Sequence, residues 1–162
     1  MKLGVDATDR RILAILQEDC KTPLQEIGKH VGMSAPSVVE RIRKLEQRGV
    51  IKGYHVALDA RELGLDVGAF IGVSMNYPKG IGAVEKKVLS LPEVLECHHV
   101  TGGHTLLLKV RTRDTETLEA MLSRIRAIPG VERTETMVIL STRSERNALP
   151  LQEFEDGEAG HA

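Results

Sequence analysis

The sequence predicts an α+β chain with an N-terminal three-helix unit of helix-turn-helix form and a C-terminal ferredoxin-like βαββαβ unit. Three observations point there. Apolar residues recur at helical spacing through the first third of the chain, with a glycine turn between two short patterns. From Leu65 the period switches to strand alternation. Two further helical patterns are then interleaved with strands. A length of 162 residues with 41% hydrophobic content suits two small packed cores.

In the first unit, Asp6 and Asp9 are placed to cap a helix whose apolar positions are Ile12, Leu13 and Leu16. Leu24, Ile27 and Val31 form the apolar face of a second helix, with Gln25, Glu26, Lys29 and His30 outward. Gly32 supplies the left-handed conformation that a sharp inter-helix turn needs. Ser34 caps the third helix, and Pro36 sits in its first turn, where a missing backbone donor costs nothing. Val38, Ile42 and Leu45 make its packed stripe, which leaves Ser37, Arg41 and Lys44 off that face. Val50 and Ile51 begin a short extended segment, so the first domain is expected over residues 1–58 and a linker over 59–64.

The second domain is expected over residues 65–146. Val67, Ala69, Ile71, Val73 and Met75 alternate with Gly68, Phe70, Gly72 and Ser74 in a first strand. Ile81, Val84, Val88 and Leu91 mark a helix that stops before Pro92. Residues 94–101 and 105–112 read as strands joined through Gly102-Gly103, which is hairpin chemistry. Leu118, Met121, Leu122, Ile125 and Ile128 mark a second helix ended by Pro129-Gly130, and residues 132–141 a last strand. In this split βαβ order both helices cover one sheet face, so the other, with Phe70, is expected to seal against a second copy. Residues 147–162 carry Glu153, Glu155, Asp156 and Glu158 and are expected to be a disordered acidic tail.

Composition narrows the function classes. No run of about 18 apolar residues and no charged-then-apolar leader is present, so a cytoplasmic protein is expected. Cys20 and Cys97 fall in different domains, which favours reduced thiols over a disulfide or a structural zinc site. An aromatic content of 2% leaves few platforms for stacking unpaired bases, so duplex DNA is the expected nucleic-acid partner. From Ile27 to Tyr54 there are six Lys or Arg against two acidic residues, in a chain of net charge -1. Ser34, Ala35, Pro36 and Ser37 form a helix N-terminus small enough to enter a major groove, and Arg41, Arg43 and Lys44 are candidates for phosphates or guanine edges. His98 and His99 are adjacent strand residues, which point to opposite faces and cannot share one metal ion without a kink. The Lys79-Gly80-Ile81-Gly82 run reads as a helix entry rather than an anion site. No acid/base pair or nucleophile arrangement stands out, so no cofactor and no catalytic residue are assigned.

Three stretches resemble the Lrp/AsnC family of feast/famine transcriptional regulators: Asp-Ala-Thr-Asp-Arg-Arg-Ile-Leu from Asp6, Arg-Ile-Arg-Lys-Leu-Glu from Arg41 running into Gly-Val-Ile-Lys-Gly-Tyr from Gly49, and Val-Thr-Gly from Val100 running into Leu-Leu-Lys-Val from Leu107. The resemblance covers about residues 5 to 146. It implies a sequence-specific DNA-binding regulator, dimers through the C-terminal domain assembled into tetramers or octamers, and an amino acid or related effector bound between dimers near the hairpin glycine. By that resemblance the effector residues are Thr101, Gly102, Gly103, His104 and Thr105, with Thr134 and Thr136 on the last strand. This chain departs from the family at the loop. Members typically read Gly-x-x-Asp, where the acid helps hold the ligand's ammonium group, and here Thr105 stands in that place. A hydroxyl supplies no opposite charge, and charge-assisted bonds are about twice as strong as neutral ones, so altered effector recognition is expected, with His104 a candidate contact. Two alternatives share this domain order: a siroheme decarboxylase-like enzyme subunit, and a sensing module without DNA binding.

Overall fold

The computed structural model describes residues 4–75 and 80–151. It divides into two compact units, Met1–Val56 with Glu145–Ala162, and Ala57–Ser144. Among the described residues no helix is long and apolar enough to cross a membrane.

The first unit is a three-helix core. Helix α1 spans Ala7–Glu18 and is capped by Asp6, whose carboxylate accepts from Asp9 N at 2.7 Å. Helix α2 spans Leu24–Val31 and ends in Gly32 at φ 70°, the left-handed turn expected there. Helix α3 spans Ala35–Gln47 and starts on Ser34, whose hydroxyl accepts from Ser37 N at 3.4 Å. Ile12, Ile27 and Val38 are fully buried where the three helices meet, with Leu16, Val31 and Ile42 packed around them. Leu24, placed by its spacing on the apolar face, is instead 40% exposed, because it sits on the first turn of α2. The segment that begins at Val50 and Ile51 runs on without pairing into a ribbon, and both amides donate to Leu45 O and close the end of α3. Residues 60–64 form a turn, with Gly64 N donating to Arg61 O.

Gly28 has no counterpart in the sequence reading. A Cβ there would lie 2.5 Å from Met33 O, so the α2–α3 turn folds directly over this glycine. Gly28→Ala is expected to destabilise the first unit by about 1–3 kcal/mol, against only a few tenths at exposed Gly4. Thermal melts of the two variants read the difference, and equal melting temperatures would refute the close approach.

Residues 147–151, expected to begin a disordered tail, group with the first unit, where Leu149 is hydrogen-bonded to Gln17 of α1. The paired donor and acceptor of a glutamine amide satisfy a backbone that a free tail would leave to solvent. Glu153, Glu155, Asp156 and Glu158 lie outside the described residues.

The second unit runs β1 Val67–Met75, α4 Ile81–Leu89, β2 Val94–His99, β3 Leu106–Thr112, α5 Thr115–Arg126 and β4 Val131–Val138. The four strands form one antiparallel sheet in the order β2-β3-β1-β4. Register assigns the faces. Ile71 lies between Leu108 and Thr136, and Val73 between Leu106 and Thr134. This face is buried by Val84 and Val88 of α4 and by Leu118, Met121 and Ile125 of α5. On the opposite face Phe70 stands in a row with Lys109 and Met137, and Gly72 in a row with Leu107 and Glu135. No helix of the unit covers that row, and Met137 is 44% exposed.

Strand ends differ from the expected ones. β2 stops at His99 rather than at residue 101, and β4 runs 131–138 rather than 132–141. The hairpin loop is longer than a two-glycine turn: Val100 N donates to Thr105 O, and Thr105 N is drawn away to Val73 O on β1. Gly102, at φ 107°, makes the bend between them.

Candidate nucleic-acid interface and effector loop

α3 and its N-cap carry every residue that the sequence assigned to DNA, in two different environments. Ser34, Ala35, Pro36 and Ser37 form its N-terminus, and the Ser34 and Ser37 hydroxyls lie 2.9 Å apart. Arg43 is exposed and grips Glu40 through two bonds, Nε to Oε2 at 3.0 Å and Nη2 to Oε1 at 2.9 Å. Lys44 Nζ is 3.6 Å from the same carboxylate. Arg43 and, less so, Lys44 hold the Glu40 carboxyl below its usual range, so this acidic group stays ionised and neutralised. Exposed pairs of this kind are weak, so both cations can exchange Glu40 for a phosphate.

Arg41 is different. Its Nη1 donates to Asp6 Oδ2 and to Asp9 Oδ1, both at 2.7 Å. Asp9 is only 7% exposed, and the Arg41 side chain 31%. The backbone N–H of Asp9, and next the guanidinium, lower the Asp6 carboxyl, while Asp6 and Asp9 raise Arg41. The sequence sends Arg41 to the groove. In the structure it ties α3 to the N-terminus of α1, because its place three residues after the buried Val38 turns it toward α1 rather than outward. Arg41, Ser37, Glu40, Lys44 and Arg48 line a cleft of about 330 Å³ with Asp9 at its base. Arg48, just past α3, and Val39, 45% exposed on α3, are two residues the sequence reading missed. An exposed β-branched side chain on a basic helix is the signal for Val39, since it suits a thymine methyl.

The candidate effector residues divide across the sheet. His104 lies on the uncovered face, its ring so close over Gly72 that a Cβ there would meet Cδ2 at 2.5 Å. Ser74 Oγ donates to Gly103 O at 3.1 Å and lies 3.2 Å from His104 Nδ1. His104 Nε2 is 3.5 Å from Glu135 Oε2, which also accepts from Arg133 at 3.0 Å. Thr101, Gly102 and Gly103 are exposed around this group, and Thr105 is half-buried at the start of the β1 pairing. Thr134 and Thr136 do not join it. They occupy the helix-covered face, where Arg126 Nε donates to Thr134 Oγ1 at 2.9 Å and Thr136 Oγ1 is buried without a partner. Strand alternation is the reason, and it brings Glu135, the residue between them, to His104. The sequence reading missed Glu135, although its parity with Gly72 would have found it once the register was known.

His98 and His99 fall on opposite faces, as their adjacency requires, and His98 pairs with Glu96 at 3.0 Å. Among the described residues no three His, Cys, Asp or Glu side chains converge as metal ligands would.

Residues 5–46 match the AsnC-type helix-turn-helix domain, and residues 68–149 match the Lrp/AsnC ligand binding domain. The chain belongs to the Lrp/AsnC family. It is 39% identical over 152 residues to the HTH-type transcriptional regulator FL11 of Pyrococcus horikoshii, covering 94% of this chain and 100% of that one. The structure of Escherichia coli AsnC superimposes with a TM-score of 0.85 at 31% identity, over 91% of this chain and 99% of that one. A transcriptional regulator from Neisseria meningitidis in complex with L-Met does so with a TM-score of 0.86 at 27% identity, over 91% and 97% of the two chains. This Lrp/AsnC protein is therefore a DNA-binding helix-turn-helix regulator with a ligand-binding domain. Its matched relatives are transcriptional regulators, which leaves the siroheme decarboxylase-like alternative without support.

Proposed function

We propose that this regulator reads duplex DNA with the N-terminus and outer side of α3, and that it is a cytoplasmic non-enzymatic protein whose affinity for its operator responds to a small zwitterionic effector. The observation that carries the reading is the arrangement of α3: a small polar N-terminus at Ser34 to Ser37, with Arg43 and Lys44 exposed beyond it. Small residues permit close entry to the major groove, and the cations contact phosphate, so binding is electrostatic first and sequence-specific second. Arg41 is assigned to holding α3 in place. Lys44→Ala is expected to weaken binding to all sequences alike and to reduce the slope of log affinity against log salt by about one. Fluorescence anisotropy with the protein's own upstream region over a salt series measures this; a slope that does not move removes Lys44 from the interface.

The effector reading rests on Glu135 beside His104. Thr105 supplies no charge for an ammonium group, and the Glu135 carboxylate stands on the same open face as the loop. An amino acid or a related metabolite with a cationic group is the fitting ligand, with Gly102 and Gly103 leaving backbone room for it. The same open face, with Phe70, Leu107 and Met137, is apolar enough to join two copies, and the dimer is proposed to assemble further into tetramers or octamers.

A further inference from the structure

We infer that α1 and residues 50–54 form a docking groove for an extended peptide, and that its occupant is the C-terminal segment of this same chain, held by Gln17 at Leu149. The groove is walled by Leu13 and Leu16 of α1 and by Val50, Ile51 and Tyr54, and about 220 Å³ of it stays open beside the segment. Tyr54 is fixed in that wall, since its hydroxyl donates to Glu46 at 3.0 Å. Leu149 and Leu151 complete the lining.

Two kinds of contact hold the segment. Leu149 N donates to Gln17 Oε1 at 2.7 Å, and Gln17 Nε2 donates to Leu149 O at 3.1 Å. A side-chain amide thus makes the pair of bonds that a neighbouring strand would make, which recognises extended backbone without regard to its side chains. Leu151, two residues on and half-buried, adds the apolar contact, and Leu149 itself is 71% exposed. Backbone pairing at one position and an apolar anchor two residues later is the pattern of strand-like peptide recognition. Arg10 Nη1, 3.5 Å from Leu151 O, is a long contact at the far end.

The consequence is a second attachment. The chain leaves the first unit after Val56, builds the sheet, and returns at Glu145, a few residues beyond β4. β4 carries Glu135, so the strand next to the effector loop continues into a segment anchored on the DNA-reading unit. Docking itself does not depend on DNA or effector, and it is measured without either.

Hydrogen exchange on the full chain tests it. The Leu149 amide is expected to be protected, and Gln17→Ala and Leu151→Asp should each speed its exchange by about tenfold or more. Gln17 and Leu151 lie outside the buried core, so unchanged protection within α1 certifies the fold of both variants. Exchange of Leu149 at the free-peptide rate in the unmodified chain, or protection that survives both substitutions, overturns the proposal. Protection that falls on dilution would assign the occupant to a second copy and overturn docking within the chain.

Discussion

Arg41→Ala lowers DNA affinity by about tenfold, yet the salt slope of binding stays where it was, and adding Asp9→Asn to the same chain recovers most of the loss. The reason lies beneath the helix. Removing the guanidinium takes one partner from Asp6, which keeps the Asp9 N–H, and the Arg41 bond from Asp9, which is buried at the base of the cleft that Ser37 and Lys44 line. A buried carboxylate left unpaired costs about 1–3 kcal/mol, and here its uncompensated charge also faces the incoming phosphates. Asparagine at position 9 removes that charge while keeping a hydrogen-bonding side chain, so the double variant should be better than Arg41→Ala alone. A direct phosphate contact predicts the opposite pattern: the slope would drop by about one, and Asp9→Asn would not restore binding. Salt-series anisotropy on the two chains separates these outcomes. The same tie sets an acid limit. The Asp9 N–H and then Arg41 depress the folded carboxyl of Asp6 below its ordinary 3.8, so its contribution is present above that value and is lost as pH falls through the lower, folded one. Melting of the first unit should therefore be insensitive to pH near neutrality and weaken only in strong acid.

Glu135→Gln is the second large effect, expected to weaken an amino acid effector by about tenfold to a hundredfold. Glutamine keeps the shape and an acceptor but loses the charge that the loop lacks at Thr105. His104→Ala acts on the same ligand in the other sense. It uncovers Gly72, enlarging the space on the open face, and is expected to shift preference toward bulkier side chains. Calorimetric titration of the twenty amino acids into the three proteins reads both. Tight binding of one amino acid that is indifferent to Glu135→Gln would remove Glu135 from the site, and the absence of heat with every amino acid in the unmodified chain would reject this effector class.

Much of the architecture was legible before any coordinates. The Gly32 turn, the Ser34 cap and the alternation from Val67 to Met75 each express a local rule, a backbone conformation, an orphan donor or a strand period, that acts over a few residues. Both domain types and the position of α3 followed from them. What the letters did not show were partners distant in sequence. Arg41 and Asp6 are 35 positions apart, and nothing in the period of α3 shows that two carboxylates wait at the start of α1. Gln17 and Leu149 are 132 positions apart, so composition marked residues 147–151 as tail.

The effector residues divide the same way. Lacking an acid at Thr105 is a property of the letters, and the sequence alone determined that the loop is unusual. Which face of β4 serves that loop depends on the pairing of Gly72 with Glu135 and of Val73 with Thr134, and a shift of one residue would have exchanged them. The sequence thus determined the kinds of element and the chemistry they carry. Only the tertiary structure decided which charges meet, because register and helix packing are settled by burial of the whole core and not by any stretch within it.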